Sequence, residues 1–160
     1  MREITVKLYQ FDELNEDAKE KARDWYRDDG GMKAQDAWDQ TREDAEQIGL
    51  KIICLDSRGV NEGEFITCAH DCAVRIKAEH GEACETRKTA ERYLASMPVE
   101  SDNYEDDQKL MDWAHEFLHD LLEDYRIMND QNTEYAYSQE VVDEDIRANE
   151  YEFTEEGKRA

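Results

Sequence analysis

The chain has 160 residues, of which 42 are Asp or Glu and 20 are Lys or Arg, for a formal charge of -22. That length fits one domain with a real core, and the charge excludes nucleic acid as a direct ligand for most of the surface while favouring basic proteins or cations as partners. Three Trp, eight Tyr and four Phe argue for a folded domain with a highly charged skin rather than a disordered chain.

The charge is uneven. Residues 1–48 carry 14 acids and 8 bases, residues 49–100 carry 9 and 7, and residues 101–160 carry 19 and 5. The last third therefore holds most of the excess, which points to a binding surface there. Four cysteines in no small-framework spacing, with no signal-like opening, predict a reducing, cytoplasmic setting. No run approaches transmembrane length, so no membrane role is expected.

In chain order, Ile4, Val6 and Leu8 alternate with polar residues, which predicts a strand with one covered face. Asn15 is placed to cap a helix with Glu16 and Asp17 in its first turn and Gly30–Gly31 at its end. Leu14, Ala18, Ala22, Trp25 and Tyr26 would face inward. A second helix is expected from Lys33 to Ile48, with Ala34, Ala37, Trp38, Ala45 and Ile48 inward and Gly49 as its stop. Leu50–Asp56, the most apolar run, reads as a central strand with Cys54 in the core, and Glu64–Cys68 as its antiparallel neighbour.

Helices follow at His70–Gly81 and Glu85–Met97, and Pro98 opens a break. The longest periodic segment is Tyr104–Met128. Leu110, Ala114, Phe117, Leu121, Tyr125 and Met128 recur at steps of three and four, widened by Met111, Leu118 and Leu122. A turn is expected over NDQNTEYAYS, then a short helix capped by Ser138 on Val141, Val142 and Ile146, and a closing strand at Tyr151–Thr154. The sum is a single α+β domain over 1–160: a small, mostly antiparallel sheet of three or four strands packed by about six helices.

Two constellations suggest metal chemistry. His115, Glu116 and His119 form a literal H-E-x-x-H, the pattern in which two histidines hold zinc and the glutamate polarises its water, with Glu140 or Glu144 as a third ligand. At 100° per residue, however, the apolar stripe centres about 250° from His115 while His119 lies at about 40°, so both histidines should face solvent. Asp120, directly after the motif, adds a charge where zinc hydrolases favour a neutral side chain. Cys68, Cys72, His80 and Cys84 are soft ligands within one short segment, but without a close C-x-x-C pair they read better as ordinary thiols than as a structural zinc site. The spaced glycines of a phosphate loop and the alternating oxygens of a calcium loop are absent. We therefore expect no enzyme and no cofactor.

What remains is the acidic surface. Asp112, Glu116 and Asp120 follow at i+4 on the long helix, and Glu123 and Asp124 complete the row. Each step rises about 6 Å, and like charges at this spacing weaken a helix by about 0.2–0.5 kcal/mol per pair, so stability does not call for the row. Glu134, Glu140, Asp143, Glu144 and Asp145 extend the negative surface among Tyr135 and Tyr137. These ten acids are the expected partner-binding residues.

The segments VKLYQFDELNEDAKEKARDWYR and IRANEYEFTEEGKR resemble small uncharacterised proteins encoded by phages and prophages. In size and charge the chain is also similar to the acidic DNA-mimic inhibitors of host nucleases, the anti-restriction and anti-CRISPR proteins. The resemblance implies an inhibitor acting in the host cytoplasm on a basic nuclease or nucleic-acid-binding regulator. An antitoxin-like or other protein-binding module is one alternative, and a zinc-dependent hydrolase using the HEFLH motif of His115, Glu116 and His119 is the other.

Overall fold

The computed structural model describes residues 7–28, 33–56, 58–97 and 104–160. They form an α+β fold of six α-helices and two separate two-stranded antiparallel sheets. The elements are β1 (Tyr9–Gln10), α1 (Glu16–Asp28), α2 (Lys33–Gln47), β2 (Leu50–Cys54), β3 (Glu62–Phe65), α3 (Ala69–Glu79), α4 (Glu85–Ser96), α5 (Tyr104–Ala136), α6 (Gln139–Ala148) and β4 (Glu152–Phe153). In place of the one expected sheet there are two, and the chain gathers into two compact units, Met1–Ala37 with Asn132–Ala160, and Trp38–Gln131. Both boundaries fall inside helices, α2 and α5, which is why no linker composition marks them.

The first unit is assembled from sequence-distant halves. Asn15 caps α1 as expected: its Oδ1 accepts the Ala18 backbone N–H at 2.9 Å. The face that α1 buries carries Ala18, Ala22 and Tyr26, packed with Phe11, Leu14, Val142, Ile146 and Phe153. β1 pairs antiparallel with β4, Tyr9 opposite Phe153 and Gln10 opposite Glu152. Trp25 meets Tyr151 and Phe153 edge-on, at ring-centroid distances of 5.3 and 5.8 Å. Gly157 has φ +81°, and a Cβ there would run into the Ala18 carbonyl, so the tail approaches α1 as only glycine allows. Ile4, Val6 and Gly30–Gly31 lie outside the described residues. Leu8, expected on a covered face, is exposed, because the short β1 ladder begins only after it.

The second unit is built on α5. Phe117, Leu121, Leu122 and Tyr125 are buried together with Ala45, Ile48, Leu50, Ile52, Cys72, Ala73, Ile76, Ala90 and Tyr93. Gly49, at φ +84°, ends α2 and turns the chain into β2. The β2–β3 register sets Leu50 opposite Phe65 and Ile52 opposite Gly63. A Cβ on Gly63 would meet both the Leu122 side chain and the Lys51 carbonyl, so this glycine lets the hairpin lie close on α5.

Several expectations are corrected in this unit. β2 pairs with β3 alone rather than sitting centrally, so Ile53 alternates onto its open face, and an irregularity between Ile52 and Cys54 leaves Cys54 exposed as well instead of in the core. β3 starts two residues before the predicted strand and ends at Phe65. Ala34 is exposed, as is Met111, which stands outside the buried seam of α5. The largest difference is that α5 continues through the predicted turn to Ala136. The stretch holds no Gly or Pro, and the Asn129 side chain accepts from the buried Thr41 hydroxyl at 3.1 Å rather than competing for its own backbone.

Candidate protein-interaction site on α4 and α5

The acidic row on α5 divides in two. Asp112 and Glu116 are exposed, and Asp120 is half-exposed with the Arg92 guanidinium 3.7 Å away. The next two acids are held by the fold. Glu123 takes Arg126 at 2.6 and 2.9 Å and the Asn61 amide at 3.1 Å, and the hydrogen bonds from Arg126 hold its carboxyl below the usual range. Asp124 accepts the buried Thr89 hydroxyl of α4 at 2.7 Å. Burial pushes its pKa up, the Thr89 hydrogen bond opposes this, and Glu85 and Asp120 add to the rise. Glu123 and Asp124 therefore tie α5 to its neighbours, and the outward row is Asp112, Glu116 and Asp120.

The acids of the first unit divide in the same way. Glu134, Glu140 and Glu144 are exposed. Asp143 instead grips the buried Arg23 with both oxygens, at 2.7 and 3.0 Å, and Glu16 and Glu20 complete the guanidinium's partners at 2.8 and 2.9 Å. Those hydrogen bonds, led by Asp143, drive the Arg23 pKa upward. Asp145 accepts the Tyr26 hydroxyl at 3.2 Å. Burial first, and Asp145 second, push the Tyr26 pKa up to about 12. Asp143 and Asp145 thus help hold the first unit together.

Neither sequence-suggested metal set is brought together: no group of three or more His, Cys, Asp or Glu side chains is placed to hold an ion among the described residues. His115 and His119 face outward, as their helical angles predict. Cys72 is fully buried in the core, where burial raises its thiol pKa to about 12. Cys68 and Cys84 occupy the N-cap positions of α3 and α4, and His80 bonds Thr86 at 2.6 Å.

The feature that periodicity did not reveal is a cleft of about 240 Å³ between α4 and α5, wholly within the second unit. Tyr93 and Phe117 lie at its floor, stacked with centroids 4.4 Å apart and planes 11° from parallel, and Phe65 stacks beyond Phe117 at 5.6 Å. Trp113 lines it, and Arg92, Glu116 and Asp120 supply its charge. The apolar stripe read from the sequence omits Trp113, although it stands one turn before Phe117; that spacing is the signal that would have found it. Arg92 carries no such signal, since only the docking of α4 on α5 places it beside Asp120. Glu116, the central residue of the H-E-x-x-H pattern, lines this cleft while both histidines point elsewhere.

No family model matches the chain, and no curated protein and no solved structure matches it. Among the described residues no helix is long and apolar enough to cross a membrane.

Proposed function

We propose that the protein is a phage-type, non-catalytic inhibitor. It binds the basic, nucleic-acid-binding surface of a host defence protein, a nuclease or a regulator, and blocks access of DNA as a mimic of its charge. The observation that carries this reading is the outward row Asp112, Glu116 and Asp120, set at successive turns of α5 on a chain of charge -22. Such a row repeats like charge about every 6 Å along the helix, and nothing in the packing of the second unit requires the exposed carboxylates of Asp112 and Glu116. Long-range attraction of this kind speeds capture of a basic partner and weakens steeply with salt.

The test is affinity capture from a bacterial lysate with the immobilised chain, at low and high salt, followed by elution with duplex DNA. The expected result is a DNA-binding protein that high salt and duplex DNA both release, and that the Asp112→Lys, Glu116→Lys, Asp120→Lys chain no longer retains. Capture that survives the triple reversal, or a captured partner without a nucleic-acid-binding surface such as a small co-encoded toxin, would remove the proposal.

A further inference from the structure

We infer that the cleft between α4 and α5 is a receptor for a single arginine side chain of the partner. The inference rests on the proposed function in taking the partner to be basic, and it adds where and how one of its cations seats. At about 240 Å³ the cleft is smaller than the pockets that take drug-sized molecules, and of the scale of one long side chain.

Its walls suit a flat cation. Tyr93, Phe117 and Phe65 stack on one another as a largely buried apolar wall, and Trp113, the ring type with the strongest attraction for cations, is partly buried beside them. Glu116 and Asp120 stand one helical turn apart on α5, about 6 Å along its axis, so both carboxylates face the same side.

The electrostatics select the sign of the guest. Two carboxylates line the cleft against the single cation Arg92. Arg92 lies 3.7 Å from Asp120 and donates to Thr89 at 3.4 Å, while Glu116 forms no ion pair among the described residues. An incoming guanidinium would therefore bond to Glu116 while its face lies on the Trp113 ring. Arginine fits better than lysine because its charge is planar, weakly hydrated and able to stack and fork-bond together. Arg92 would act as a resident competitor, holding Asp120 until the guest arrives.

The experiment titrates the full-length chain with an acetylated, amidated Gly-Gly-Arg-Gly-Gly peptide and with its lysine twin, followed by nuclear magnetic resonance of the tryptophan indole N–H groups. The arginine peptide should move the Trp113 signal saturably, with the lysine peptide about fivefold weaker. Glu116→Gln, an exposed and near-isosteric change, should weaken the arginine peptide several-fold, and Arg92→Ala should tighten it by freeing Asp120. Equal responses to both peptides, spread over the acidic surface with Trp113 unmoved, would overturn the assignment. So would an arginine response unchanged in Glu116→Gln and in Arg92→Ala. The two proposals fail separately. Loss of the cleft response with a charge-sensitive DNA-binding partner still captured removes only the receptor, whereas a seated arginine peptide with no such partner removes only the inhibitor.

Discussion

The two compact units contain similar acids but anchor them with different donors. In the unit formed by Met1–Ala37 and Asn132–Ala160, the buried donors are a cation and a hydroxyl: Arg23, 3% exposed, bonds Asp143, Glu16 and Glu20, and the Tyr26 hydroxyl bonds Asp145. In the unit Trp38–Gln131, the buried donors are neutral hydroxyls: Thr89 bonds Asp124 at 2.7 Å and Tyr125 bonds Asp44 at 2.9 Å. A buried cation compensates neighbouring charge but is expensive to leave alone, whereas a buried hydroxyl compensates none and is cheaper to lose. The first unit therefore adds a buried ion pair to its apolar core. The second is held by apolar packing around α5, with carboxylates at its margin.

Breaking the first anchor should have the largest effect. Arg23→Met leaves Asp143 without its partner and is expected to destabilise the first unit by about 3–5 kcal/mol, measured by urea unfolding followed at Trp25. Adding Asp143→Leu should recover much of that loss, because an apolar pair replaces a charged one. A loss below about 1 kcal/mol for Arg23→Met would erase the contrast between the units.

Alkali should separate the units next. A group whose folded pKa is raised contributes stability that is complete below its unfolded value and disappears as pH climbs through the folded one. Burial raises Cys72 from 9.0 to about 12, and it raises Tyr93 and Tyr125 as well, all in the second unit. In the first unit, burial and Asp145 raise Tyr26 from 10.0 to about 12. The second unit should begin to weaken from about pH 9 and the first from about pH 10, read from the indole signals of Trp113 and Trp25 across the titration. Cys72→Ala should move the onset of the second unit upward toward that of the first.

Removing a neutral anchor should matter less. Tyr125→Phe deletes the hydroxyl on Asp44, whose side chain is 46% exposed and so regains water. The expected loss is about 1 kcal/mol by thermal or urea unfolding followed at Trp113. A loss approaching that of Arg23→Met would mean that the hydroxyls anchor as strongly as the guanidinium.

The smallest effect has the opposite sign. The carboxyl of Asp124 is raised, chiefly by burial, so the stability linked to its protonation is present below the ordinary 3.8 and lost as pH rises through the folded value. Asp124→Asn should therefore stabilise the second unit at pH 7 by up to about 1 kcal/mol, with the advantage fading on acidification toward pH 3. Destabilisation at pH 7 would show that the charged form of the Thr89 hydrogen bond outweighs its desolvation.

How far the sequence anticipates this molecule depends on whether a feature is local. The Asn15 cap, the Gly49 stop, the antiparallel neighbour of β2 and the buried face of α5 are set by residues a few positions apart, and each is present. The α+β class follows from them. Arg23 was not legible as a core residue, because its burial depends on Asp143, which is remote in sequence. Nor was the extension of α5, which leans on Thr41 of α2. The candidate site divides in the same way: periodicity aligns Glu116 with Asp120, but the packing of α4 adds Arg92 and Tyr93 and makes the cleft. Equally, spacing alone does not distinguish the exposed Glu116 from Asp124, which the Thr89 hydroxyl holds half-buried.

The pairing of β1 with β4 also orders events during synthesis. Every residue of the second unit leaves the ribosome as one uninterrupted stretch, with all its core partners in hand. The α1 segment emerges earlier, yet Val142, Ile146, Phe153 and the carboxylate for Arg23 are translated only after that whole stretch. For that interval α1 is an amphipathic helix with an unmatched guanidinium on its apolar face, reliant on its Asn15 cap and the nearby Glu16 and Glu20. A chain ending at residue 131 and released from the ribosome would therefore hold every residue of the second unit but lack the Asn132–Ala160 part of the first.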